Sequence, residues 1–71
     1  MNREDRQALA AIRYAAEQDE LVREDIHWAI EYHDRAFFEQ VVHRVVKRLR
    51  LTVSDTRRFI DAAYEWFRRQ L

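Results

Sequence analysis

The chain has no glycine and no proline in 71 residues. These two residues supply the positive φ angles and the fixed kinks that punctuate most folds, so a chain lacking both has little room for loops. Tight hairpins, phosphate-cradling glycine loops and most all-β architectures are thereby excluded. What remains is an all-α chain whose helices are joined by short links. Cysteine is also absent, which removes disulfide scaffolds, thiolate zinc sites and cysteine nucleophiles, and is compatible with a reducing cytoplasm. No apolar run is long enough for a membrane span or a signal-peptide core, so no membrane association is expected.

The hydrophobic spacing divides the chain into one helical domain over residues 1–71, with helices over about 3–17, 20–49 and 53–70. Asn2 is placed to cap the first helix, with Glu4 and Asp5 suiting its positive end. Leu9, Ile12 and Ala16, flanked by Ala8, Ala11 and Ala15, make a narrow stripe that another helix can approach closely. Asp19 is a cap for the next helix. From there Val22, Ile26, Ile30, His33, Phe37, Val41, Val45 and Leu49 step by three or four without interruption, and Trp28, Tyr32, Val42 and Val46 widen the stripe. This spacing predicts one central helix of about 43 Å at 1.5 Å per residue. The alternative breaks it at Tyr32-His33-Asp34, giving a fourth helix capped by Asp34. Thr52 and Asp55 have the spacing of a capping box for the last helix, where Ile60, Tyr64, Phe67 and Leu71 form one stripe and Phe59, Ala63 and Trp66 another.

Nearly half the residues (48%) are apolar, but nine of them are alanines. A chain this short buries only about 60% of its unfolded surface, so a homodimer is expected. Trp28, Tyr32, Tyr64, Trp66 and Phe67 are the candidates for a dimer or protein interface, because large aromatics supply most interface energy.

Lys+Arg and Asp+Glu balance at 13 each, so no global field draws the chain to nucleic acid or an anionic membrane. The two halves differ, however. Residues 1–36 hold five basic and nine acidic side chains, and residues 37–71 hold eight and four. The basic excess centres on Arg44, Lys47, Arg48, Arg50, Arg57 and Arg58. Cations in the last turns of a helix complement its dipole, which accounts for Arg44, Lys47 and Arg48 but not for Arg57 and Arg58.

At this basic elbow the chain resembles a helix-turn-helix motif, with Val45, Leu49, Leu51, Thr52 and Phe59 at the positions of core aliphatics, turn hydroxyl and late core residue. The resemblance implies that Val53, Ser54, Arg57 and Arg58 would face a DNA major groove. It spans about 20 residues and departs at Arg50, which occupies the turn position usually held by glycine, and at Val46, where a smaller residue is usual. A fainter similarity is to the histone fold, through a long central helix followed by Arg50-Leu51-Thr52-Val53, with Asp55 about two residues early for that pattern.

Catalytic and metal chemistry find little footing. His33 lies on the apolar stripe, where a core or interface histidine is expected. Glu24 and His27 have the Glu-x-x-His spacing of di-metal bundles, but those sites need a second such motif, so no metal or cofactor is expected. Ser54 is the only serine and has no partnered histidine–acid pair. Remaining charges fall into spaced pairs such as Asp19–Arg23, Glu31–Arg35 and Glu65–Arg69. The expectation is a small non-enzymatic regulator or adaptor that binds a protein, in the manner of phage or mobile-element inhibitors. The alternative is a helix-turn-helix-like DNA-binding regulator.

Overall fold

Asn2 accepts the amide of Asp5 on its side-chain oxygen at 2.8 Å, and α1 (Arg3–Gln18) starts there. Its buried face is Ala8, Leu9, Ile12, Ala15 and Ala16, the narrow stripe that spacing predicts, together with the carboxylate of Asp5. Asp19 ends this helix and begins the next. Its own amide bonds the carbonyl of Ala15, while its side chain accepts from the amides of Leu21 and Val22. The computed structural model describes residues 1–70, so Leu71 lies outside it.

The single central helix predicted over 20–49 is not formed. It is divided into α2 (Glu20–Glu31) and α3 (Arg35–Leu49). The break is a Schellman motif without glycine: His33 adopts φ 54°, its amide bonds Ile30, and the amide of Asp34 reaches back to the carbonyl of Ala29 at 2.8 Å. Asp34 then caps α3 by accepting the amide of Phe37 at 3.0 Å. His33 is therefore exposed at a turn rather than placed in the core. An unbroken helix of about 43 Å would exceed the 28 Å longest extent of the molecule, and its stripe would need another chain to cover it. Folding back instead sets Phe38, Val41, Val42 and Val45 in one core with Val22, Ile26 and Ile30. The loss of a long central helix also removes the feature on which the histone-like similarity rests.

The end of α3 repeats the device. Arg50 adopts φ 53°, and the amide of Leu51 bonds the carbonyl of Val46 at 3.0 Å. Leu51 and Val46 both pack against the core, the apolar contact that accompanies such a cap. The last helix, α4 (Thr56–Gln70), starts three residues later than expected. Its cap is Asp55, which accepts the amide of Arg58 at 3.2 Å, while Thr52 is exposed and caps nothing. The reason is that Leu51 and Val53 turn inward to the core and the amide of Ser54 is taken by Asp5. Residue 55 is then the first position whose carboxylate precedes free helix amides. Within the bundle, Phe38 is fully buried with the rings of Tyr64 and Phe67 edge-on to it, at 5.1 and 6.2 Å.

A left-handed residue other than glycine costs roughly 1–2 kcal/mol, part of which a glycine returns through its freer unfolded state. His33→Gly and Arg50→Gly are each expected to raise stability by about 0.5–1 kcal/mol, read as a higher thermal midpoint. In a continuous helix the same change at residue 33 would lower it by a similar amount. For the cap of α4, Asp55→Ala is expected to cost about 0.5–2 kcal/mol, and Thr52→Ala to leave the unfolding midpoint within about 0.5 kcal/mol.

Candidate functional site

The turn at residues 32–34 makes α2 and α3 antiparallel, and three contacts fix their register. At one end Arg48 meets Asp19 at 3.4 Å; in the middle Arg44 Nη2 donates to Asp25 Oδ2 at 2.7 Å; at the other end Phe37 stands edge-on to Trp28 with ring centroids 5.3 Å apart. Trp28 also leans on Tyr32 at 4.9 Å. Leu21, Trp28 and Tyr32 follow one another at helical spacing and are 70%, 46% and 62% exposed. The outer side of this helix pair thus carries an apolar stripe beside a core that is already closed.

The other aromatic candidates are placed differently. Tyr64 and Phe67 are buried around Phe38, so their surface is used inside this chain. Trp66 is half-buried, edge-on to Phe67 and covered by the guanidinium of Arg13, 4.1 Å above its ring. The guanidinium of Arg35 lies over the ring of Tyr64 at 4.6 Å and pairs with Asp61.

The basic elbow is largely dispersed by the fold. Arg44 and Arg48 point at α2 and are neutralised by Asp25 and Asp19. Arg58 lies 3.8 Å from Asp55. Lys47, Arg50 and Arg57 are exposed and make no ion pair among the described residues. Of the four positions that the helix-turn-helix resemblance directs at DNA, Val53 packs on the core and Ser54 is held by α1, which leaves Arg57 and Arg58. Six residues, Arg50 to Asp55, separate α3 from α4, against the three or four of that motif. At the far end of α4, Arg68 donates Nε and Nη2 to Glu65 at 2.9 and 2.7 Å. That hydrogen bond holds the Glu65 carboxyl below the usual carboxylate range and raises Arg68 correspondingly.

One polar cluster has no counterpart in the sequence pattern. Asp5 is 4% exposed, and it accepts the Ser54 amide at 3.0 Å and the Ser54 hydroxyl on both oxygens at 3.3–3.4 Å. Asn2 donates its side-chain amide to the same hydroxyl at 2.7 Å. The serine is thus a structural partner, tying the start of α1 to the entrance of α4 across 49 positions. Nothing in the local spacing could have paired them, because Asp5 reads equally well as a first-turn acid. His27, weighed above as a metal ligand with Glu24, lies 3.7 Å from Glu31 along the same helix. Among the described residues no group of three His, Asp or Glu side chains converges on a point where a metal could sit. Among the described residues no helix is long and apolar enough to cross a membrane.

Comparison of the chain with protein-family models, curated proteins and solved structures finds no match.

Asp5→Ala strands the Ser54 amide in a partly buried place, and leaving such a group unsatisfied costs about 1–3 kcal/mol. The expected result is a lower urea midpoint of that size, with a smaller loss for Ser54→Ala, which keeps the amide bond. Equal effects of the two substitutions would show that the hydroxyl carries the contact.

Proposed function

We propose that this chain is a small non-enzymatic regulator or adaptor that acts by protein–protein contact, with the outer face of α2 and α3 as its binding surface. The observation that carries the reading is the stripe of Leu21, Trp28 and Tyr32, exposed beside a core in which every other aromatic ring except Tyr14 is buried or partly buried. Trp28 and Tyr32 touch, with Leu21 two turns away on the same face, and exposed apolar groups gathered on one face mark interaction surfaces. Tryptophan and tyrosine at the centre of such a patch are the residues that most often dominate binding energy. The ion-paired arginines beside the stripe give it a polar border, with Arg44 reaching α2 at Asp25 and Arg48 its cap at Asp19.

The alternative, DNA contact through the elbow, retains Arg57 and Arg58 at the first turn of α4 and the unpaired Lys47 and Arg50. It has less to support it, because Arg44 and Arg48 are engaged with carboxylates, Val53 packs against the core and the Ser54 hydroxyl is bonded to Asp5 and Asn2.

The two readings separate by measurement. The double variant Trp28→Ala/Tyr32→Ala is expected to retain full helicity and to lose affinity for a purified protein partner by about 30-fold or more, the scale of a hot spot of at least 2 kcal/mol. Arg57→Ala/Arg58→Ala is expected to bind that partner as the parent does. Salt-dependent binding to a labelled DNA duplex, lost in the arginine variant and kept in the aromatic one, would reverse the assignment.

A further inference from the structure

The face of α2 and α3 has a charge order that narrows its partner. On α2, helical spacing puts Glu24 and Glu31 on the solvent side of the Leu21–Trp28–Tyr32 stripe, all of them exposed. On α3, Ala36, Gln40, His43 and Lys47 occupy the corresponding outward side, also exposed, with Arg44 and Arg48 turned toward α2. The face is therefore acidic and aromatic along one helix, while the other offers His43 and the unpaired Lys47 at one end and the short side chains of Ala36 and Gln40 at the other. Because the two helices are antiparallel and in the register set by Asp19–Arg48, Asp25–Arg44 and Trp28–Phe37, Glu24 is level with His43 and within a turn of Lys47, and Trp28 and Tyr32 are level with the Ala36–Gln40 end.

We infer that the partner this face fits is a second copy of the same chain. The inference rests on the protein-binding reading above and specifies its occupant. A two-fold axis laid along the groove between α2 and α3, parallel to both, places α2 of each copy over α3 of the other without changing heights. Glu24 then faces the His43 and Lys47 end of the opposing helix. Trp28 and Tyr32 lie over the Ala36 and Gln40 end, where a side chain as small as alanine leaves room for a ring. A two-fold contact is made by one patch against itself, so it must be self-complementary, and this patch is complementary in both charge and size. A foreign partner would need only one of the two halves.

The test is a charge exchange followed by analytical ultracentrifugation at low salt. The parent is expected to sediment as a dimer at about 100 μM, a concentration at which even a weak specific contact is populated. Glu24→Lys sets like charges face to face twice per dimer, as does Lys47→Glu, so each variant alone is expected to self-associate about tenfold more weakly or worse. An equimolar mixture of the two restores opposite charges at both contacts and is expected to form a heterodimer at least as stable as the parent dimer. Both substitutions lie on exposed positions, and circular dichroism confirms that each variant is folded before mixing. A mixture no tighter than the separate variants would overturn this geometry, and so would a parent that stays monomeric at that concentration. In the latter case, continued loss of a heterologous protein partner by Trp28→Ala/Tyr32→Ala leaves the protein-binding reading standing and removes only the second copy.

Discussion

At His33 the backbone turns left-handed without a glycine, and two hydrogen bonds, from His33 to Ile30 and from Asp34 to Ala29, close the end of α2. Nearly every later feature depends on this reversal. It returns Phe38, Val41, Val42 and Val45 to the side of Val22, Ile26 and Ile30, so that one chain closes a core that a straight helix would have left open. It also makes α2 and α3 antiparallel, and only in that arrangement can Asp19 meet Arg48 and Asp25 meet Arg44. The local cost of a left-handed side chain is on the order of 1–2 kcal/mol. Burying even one large aliphatic side chain contributes about 1.5–3 kcal/mol, and the reversal allows several to be buried. The magnitudes decide in favour of the break.

A second tie closes the fold at its other end. The carboxylate of Asp5 holds the amide and hydroxyl of Ser54, and this shapes the chain between α3 and α4. With Ser54 engaged and Leu51 and Val53 turned to the core, the entrance to α4 moves to Asp55. The same tie bears on function. Of the four side chains through which a helix-turn-helix motif would touch DNA, Val53 turns to the core and the Ser54 hydroxyl is taken by Asp5 and Asn2. The arginines that remain at the elbow stand on a corner whose neighbours are occupied with holding the bundle together.

The charges illustrate how tertiary structure overrides local spacing. The pairs expected one turn apart, Asp19–Arg23 and Glu31–Arg35, are replaced. Asp19 pairs across helices with Arg48 and Arg35 crosses to Asp61, while Glu31 is left to His27 one turn back on its own helix. A surface pair one helical turn apart contributes only a few tenths of a kcal/mol, so any contact that also fixes a helix packing displaces it easily. The outcome is an outer face on α2 and α3 with arginines aligned by carboxylates and an apolar stripe beside them. On the protein-binding reading proposed above, this surface would supply the anchors and the border of the contact.

The sequence by itself determined the all-helical class, the first helix with its Asn2 cap, the role of Asp19, and many of the apolar positions that fill the core, though not Phe38, which is fully buried, nor the exposure of Leu49. These follow from short-range causes: the absence of glycine and proline, caps one turn from the amides they satisfy, and a 3.6-residue period. It also contained the reversal as an alternative, since Asp34 has the chemistry of a cap whether or not it is used. It could not decide between a continuous helix and a folded one, because apolar spacing is the same in both and His33 gives no sign of a left-handed turn. It could not separate Tyr64 and Phe67, which are buried, from Trp28 and Tyr32, which are exposed, since all four lie at helical spacing on apolar stripes. Only the tertiary structure settled these points. Which face of a helix is covered, and which acid meets which base, depends on contacts between residues far apart in the chain, and their energy appears only once the helices are packed.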